Sequence, residues 1–258
     1  MDLGLEGRTA LVTGASKGIG LASGRCLAAE GVDVTLVART REVLEAAAAS
    51  IEGPGKVTAL VADLADEAER RRVVAEVGDV DILVNNAGGI PGGNLLEFDD
   101  RRVKEVWELK MFGYISMCRQ YYERMKAQGH GVIVNVIGNA AEALDFDYII
   151  GSTANAGLCA FTRALGSQSY RDGIRAVAIN PGPVETGRLE TLMRKKAADR
   201  TGSADNWEKL KEPLPFARAA SPDEIAAMVA MLASDRSAYT SGTVVTIDGG
   251  IASQSRTF

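Results

Sequence analysis

The feature that most constrains this chain is a steady alternation between two apolar patterns. Runs at residues 9–13, 32–38, 57–61, 81–84, 131–136, 175–180 and 243–247 are short, β-branched and nearly continuously apolar. Strands buried on both faces of a parallel sheet read this way, whereas half-solvated strands alternate apolar and polar. Between these runs lie stretches with helical spacing at 18–30, 41–51, 67–77, 101–127, 152–170 and 222–233. Strand, helix and strand in succession require right-handed crossovers. The pattern therefore predicts an α/β fold, a doubly wound parallel sheet of about seven strands with helices on both faces. At 258 residues the chain is long enough to bury a sizeable core, and residues 1–258 read as a single domain. One segment, 189–212, is polar and charged and breaks the rhythm. It follows a strand's carboxyl end, where such sheets bind ligands, so it reads as a mobile flap over the substrate.

Charge and cysteine content exclude several functions. Lys and Arg number 29 against 34 Asp and Glu, a net charge of −5. A nucleic-acid partner calls for a basic surplus, so none is expected. No run of 18 apolar residues occurs, so no membrane span is expected. Cys26, Cys118 and Cys159 are scattered, without a C-x-x-C or a Cys/His cluster, which predicts neither a disulfide framework nor a metal site. His130, in a turn before a strand, reads as a surface histidine. The first residues lack a basic-then-apolar leader pattern, and a cytoplasmic location is expected.

The first strand runs directly into Thr13-Gly14-Ala15-Ser16-Lys17-Gly18-Ile19-Gly20. Glycines at 14, 18 and 20 permit a tight turn and close backbone approach to a pyrophosphate, and the helix that follows aims free N–H groups and its positive dipole end at the phosphates. Between a strand and a helix this trio is a dinucleotide signature. The second strand ends Ala38-Arg39, with no carboxylate for a ribose 2′-hydroxyl. Arg39 and Lys17 suit a 2′-phosphate instead, which predicts NADP(H) in preference to NAD(H).

With these motifs in place the chain resembles the short-chain dehydrogenase/reductase family, of Rossmann type, over nearly its whole length. Asp63-Leu64 resembles the family's adenine-contacting acid, and Asn85-Asn86-Ala87-Gly88 its motif after the fourth strand. Asn180-Pro181-Gly182-Pro183-Val184-Glu185-Thr186 resembles its Pro-Gly segment, in which the Val184 backbone and the Thr186 hydroxyl would anchor the nicotinamide carboxamide. The resemblance implies a homotetramer or homodimer. It also implies an Asn-Ser-Tyr-Lys catalytic tetrad, and here the chain departs from the pattern. Aligned on residues 161–165, the lysine position is Asn155, the tyrosine position Gly151, the serine position Gly138 and the asparagine position Lys110.

A replacement set is visible. Tyr148 precedes Asn155 by seven residues, a spacing that places both on one helical face and is similar to the tyrosine–lysine spacing of the enoyl-thioester reductase branch. Tyr148 is then the proton donor, Lys110 the charge that tunes it or relays protons, and Asn155 a ribose anchor. Asn139 and Ser152 could hold a substrate oxygen. Leu144, Phe146, Ile149, Ile150 and the segment Gly89-Ile90-Pro91 suit a small apolar carbonyl or activated-alkene substrate, while Lys195, Lys196 and Arg200 could attract an anion. The leading expectation is an NAD(P)(H)-dependent oxidoreductase with an atypical active centre. The alternatives are a dinucleotide-binding sensor or assembly partner without redox turnover, an enoyl-reductase-like enzyme, and a non-redox lyase or dehalogenase on the same fold.

Overall fold

In the computed structural model, which describes residues 2–254, seven strands form one parallel sheet. They are β1 (Thr9–Thr13), β2 (Asp33–Ala38), β3 (Val57–Val61), β4 (Ile82–Asn85), β5 (Gly131–Val136), β6 (Ile174–Pro181) and β7 (Val244–Ile247). The order β3-β2-β1-β4-β5-β6-β7 reverses direction between β1 and β4, which opens a crevice at their carboxyl ends. Helices α1 (Gly18–Ala29), α2 (Arg41–Ala49) and α3 (Glu67–Val77) connect the first four strands. They are followed by α4 (Asp100–Trp107), α5 (Gly113–Gln128), α6 (Ile149–Gly166), α7 (Gly187–Thr201) and α8 (Pro222–Ala233).

The continuous apolar runs are explained by cover on both faces. Val12, Val34, Leu36, Val84, Val134 and Val177 face a cluster shared with α1 and α8. Leu11, Val37, Leu83 and Ile133 face a second cluster with Val73 of α3 and Met117, Tyr121 and Met125 of α5. Burying each such side chain contributes roughly 1.5–3 kcal/mol, which fixes the sheet and so the rim on which the crevice is built.

Two helical expectations are corrected. The stretch 101–127 is not one helix, because a π-helical turn, Glu108–Phe112, separates α4 from α5. The turn is tied down by Arg70, which is buried and donates to Leu64 O at 2.8 Å and to Glu108 Oε1 at 2.9 Å. Such turns concentrate at functional sites, and this one carries Lys110. The helix expected at 152–170 is α6, which starts earlier and stops sooner. Its end is set by Gly166, where a Cβ would lie 2.1 Å from the Gly242 nitrogen. Tyr148 is the residue before the first turn of α6, with φ −136° and ψ 30°. It therefore does not share a helical face with Asn155. Its place is set by the loop after β4, through a bridge to Gly93 and a 2.6 Å bond from Gly93 N to Asp147 O.

The segment 189–212 holds most of α7 and a short 3₁₀ turn, Trp207–Lys211. Lys195 pairs with Asp199 at 3.1 Å, and Arg194 with Glu190 at 2.8 Å, so part of its charge serves surface ion pairs.

Candidate dinucleotide and active site

At the crevice the loop 13–20 closes tightly on its neighbours. Gly14 and Gly18 have φ of +64° and +58°, in the left-handed region that glycine enters without penalty. A Cβ on Gly20 would stand 2.4 Å from Gly14 O, and one on Gly14 would stand 2.7 Å from Ala87 Cα. Asn86 locks the two loops together by donating from Nδ2 to Thr13 O at 3.0 Å and Gly14 O at 3.2 Å. Ser16 and Lys17 lead into α1, whose first turn receives no side-chain cap from Lys17. Its N–H groups are thus left to an incoming anion. Ile19 turns into the core beneath.

Across the crevice, Pro181 ends β6 and Gly182 lies against Asp248, where a Cβ would come within 2.6 Å of the Asp248 Cβ. Val184 bridges to Ala220, and Thr186 caps α7 by accepting from Leu189 N at 3.3 Å. The Thr186 Cγ2 lies 3.0 Å from where a Gly18 Cβ would be, so the two cofactor-type segments meet. Leu64 is buried beside the exposed Asp63, while the Arg39 guanidinium sits 4.0 Å from Asp63 Oδ2 on the open rim. Both side chains keep their exposure to whatever occupies the rim.

The positions that the resemblance marked as a tetrad converge on one wall. Gly138 and Asn155 touch: Asn155 Nδ2 is 3.5 Å from Gly138 O, and a Cβ at 138 would meet that nitrogen at 3.0 Å. Asn155 is 3% exposed, and its Oδ1 has no hydrogen-bond partner. The buried Ser152 Oγ also has none. Gly151 is covered by Tyr148, since a Cβ there would lie 2.2 Å from both Cε1 and Cζ of the ring. The phenol of residue 148 thus fills the volume that a side chain at 151 would enter. Asn139 is turned away to Asp248 Oδ2 at 3.3 Å.

Lys110 points inward and is 8% exposed. Its Nζ donates to Ile137 O at 2.9 Å, Val136 O at 3.2 Å and Tyr114 Oη at 3.4 Å, all near the end of β5. Its stem lies against Gly88, where a Cβ would be 2.6 Å from Cδ. Burial lowers its pKa to about 7. The unfolded chain keeps that proton to about 10.5, so between these values the unfolded state binds more protons and stability rises with pH. Relative to Lys110→Met, the wild type should gain up to ~1.4 kcal/mol per pH unit in that window. Urea unfolding of both proteins at pH 6.5, 7.5 and 8.5 measures this, and parallel pH dependences would refute it.

The cation beside Tyr148 is Arg188, a residue that the motif reading passed over. Its positive charge opposes the rise in phenol pKa caused by burial. It also donates to Ile90 O, reaches over Gly89, and helps to lower the Lys110 pKa. A signal was present in the sequence. Arg188 lies two residues beyond Thr186, at a strand's carboxyl end, just short of the segment set apart at 189. Far from this wall, His130 is half exposed and bonds Asp81 Oδ1 at 2.8 Å, a surface pairing at the amino ends of β4 and β5.

A family described as short chain dehydrogenase matches residues 8–197. Among curated proteins the chain is 34% identical to oxidoreductase UcpA of Salmonella typhimurium over 261 residues, covering 95% of each chain. It is 31% identical to the 3-oxoacyl-[acyl-carrier-protein] reductase FabG of Thermotoga maritima, covering 96% of this chain and 98% of that one. Among solved structures, L-sorbose reductase from Gluconobacter frateurii, complexed with NADPH and L-sorbose, aligns with a TM-score of 0.90 at 31% identity. That alignment covers 99% of this chain and 100% of the other.

Proposed function

The chain belongs to the short-chain dehydrogenase family, and from that premise we propose an oxidoreductase that favours NADP(H) over NAD(H) and works through an atypical centre. The observation that carries the reading is the Tyr148 ring over Gly151, a phenol delivered from outside α6 to the wall where Asn155 and Gly138 meet. Residues 14–20, 86–88 and 181–186 form the dinucleotide cleft. The unpartnered Asn155 Oδ1 fits a ribose hydroxyl, a donor that would satisfy an otherwise costly buried acceptor. When bound, the nicotinamide supplies or accepts the hydride. Tyr148 passes a proton to or from the substrate oxygen, and Arg188 steadies the phenolate left behind. At neutral pH Lys110 holds the β5 end through its carbonyl contacts, and its lowered pKa makes it a weaker source of fixed charge than Arg188. The substrate is a small carbonyl compound or activated alkene lying between Tyr148 and the 189–212 flap. The functional unit is a homotetramer or homodimer.

The test is NADPH oxidation across a panel of carbonyl, dicarbonyl and enoyl compounds. Turnover by the wild type supports the reading. NADPH binding with no turnover on the whole panel would favour a sensor instead. The cofactor preference is tested separately. Arg39→Asp should weaken NADPH binding by about 10- to 100-fold, the loss of one charge-assisted contact plus repulsion, and leave NADH binding equal or better. Fluorescence titration of both nucleotides reads it, and an equal loss for both would remove Arg39 from 2′-phosphate recognition.

A further inference from the structure

Two loops at the mouth of the cleft carry four exposed, large apolar side chains. Leu95 and Leu96 follow β4, and Leu144 and Phe146 follow β5; Leu96 is 94% exposed and Phe146 65%. The loops lie side by side. Gly93 bridges to Tyr148 and its nitrogen donates to Asp147 O at 2.6 Å, so the chain bearing the leucines runs beside the chain that delivers the phenol. Helix α7 stands opposite. A Cβ on Gly92 would lie 3.7 Å from Leu192 Cδ2, and Arg188 donates to Ile90 O. An exposed apolar patch with a polar border, continuous with a cleft, marks a place that a ligand covers.

Charge narrows the class of ligand. Residues 86–100 and 137–151 contain no lysine or arginine, but they contain Glu97, Asp99, Asp100, Glu142, Asp145 and Asp147. Asp99 accepts from Arg102 N at 2.7 Å and Asp145 from Asp147 N at 2.9 Å, while Glu142 accepts from Asn180 at 3.3 Å and Thr246 at 3.1 Å. The residues of α7 that reach these loops are Arg188, Leu192 and Lys195. Lys195 is already engaged, at 3.8 Å from Glu97 and 3.1 Å from Asp199. The mouth is thus an apolar surface with an acidic border. An alkyl chain gains by covering it, and a phosphate or carboxylate is repelled there.

We propose that the substrate is an uncharged carbonyl compound with an extended apolar tail, its carbonyl at Tyr148 and its tail across Leu96 and Phe146. This rests on the reading of Tyr148 as the proton donor. The bridge between Gly93 and Tyr148 carries the inference, because it makes the apolar loops and the reacting end of the cleft parts of one surface. A tail lying on that surface loses water on one side only. Each methylene then contributes about half of what full burial would, roughly a two-fold gain in binding. The acids along both loops act against any anionic carrier joined to the substrate, a coenzyme A thioester included.

The experiment follows kcat/KM along the series from 2-butanone to 2-decanone in the wild type and in Leu96→Ser/Phe146→Ser. The wild type should gain about two-fold per methylene, about 60-fold over the series, and the double variant less than about 10-fold. Both side chains are exposed, so the fold is spared, and the melting temperature checks this. A flat series in the wild type, or a slope that the double variant keeps, overturns the proposal. So does a double variant with an altered oligomeric state, because the loops then meet a second copy of the chain. A wild type that sediments with phosphatidylcholine vesicles, where the variant does not, also overturns it, in favour of a lipid surface. Charge is read with 3-oxooctanoyl thioesters. The N-acetylcysteamine thioester should exceed the coenzyme A thioester by about 10-fold or more at low salt, with the gap narrowing in about 0.5 M KCl. A preference for coenzyme A overturns the uncharged class. Octanamide and butanamide, which are not reduced, separate the two readings by calorimetry on the NADPH complex. Octanamide bound about 15-fold more tightly than butanamide by the wild type, with the difference lost in the double variant, supports the tail site even if no ketone turns over. That outcome would defeat only the oxidoreductase reading. Equal affinities in the wild type overturn the tail site.

Discussion

Tyr148→Phe should reduce turnover by about 10²- to 10⁴-fold, the usual worth of a positioned acid or base, and leave NADPH binding within a factor of two. The ring packs with Ile90, Ile150 and Ala154, and phenylalanine keeps that packing. Only the hydroxyl is lost, a change that costs stability about 1 kcal/mol. Other groups on this wall are poor substitutes for the donor. The Tyr114 hydroxyl is buried and commits its proton to Val136 O at 2.8 Å, and burial raises its pKa. Lys110 faces the carbonyls of β5. The pH profile adds a second check. Burial raises the Tyr148 pKa above its ordinary value of 10.0, with Arg188 opposing the rise, so the phenol keeps its proton throughout the neutral range. Reduction by the wild type should therefore be limited by phenol ionisation only at strongly alkaline pH. Steady-state kinetics and NADPH titration on both proteins measure these effects. Full activity in Tyr148→Phe would end the proposed role of the hydroxyl.

The central strands were legible because they are buried on both faces, and the apolar runs of the partly buried edge strands β3 and β7 also leave little choice of element. Thr9–Thr13, Val57–Val61 and Gly131–Val136 coincide with the expected bounds, and the other strands begin or end within a residue of theirs. The glycine loop and the Asn86 and Thr186 segments were legible for a related reason. Close backbone approach demands residues that few other structures require, as the blocked Cβ positions at 14 and 20 show. The misreadings came where tertiary contacts overrode local pattern. The π turn at Glu108–Phe112 differs from an α-helix by one residue and leaves no periodic trace, while its tie to Arg70 is 38 residues away in sequence. The place of Tyr148 is set by Gly93, far back in the chain, so helical spacing from Asn155 was the wrong ruler. Lys110 did turn inward, as its apolar setting suggested. The cation at the phenol is nonetheless Arg188, which comes from the next crossover and so lies outside any local motif.

Gly151→Ala should cost nearly as much activity as the loss of the phenol itself, although it adds only a methyl group on a helix. That methyl would stand 2.2 Å from two atoms of the Tyr148 ring, and 2.7 Å from a third, so the ring must leave its place. Because Tyr148 lies at the cap of the helix and not within it, moving its ring aside breaks none of the helix's backbone bonds. The helix itself gains about 0.5–1 kcal/mol from alanine in place of glycine, which offsets part of the repacking cost and should leave the fold and the NADPH affinity largely intact. The expected result is kcat reduced by about 10²-fold or more, approaching the Tyr148→Phe level. Because both substitutions remove one group from one place, their effects should not add. The double variant Gly151→Ala/Tyr148→Phe should be no slower than Tyr148→Phe alone, as residues acting as a unit behave. If the phenol were only a rim aromatic, the methyl would lower the melting temperature and spare the chemistry. Melting curves and single-turnover rates on the three variants distinguish the cases, because a working proton donor loses rate before it loses stability.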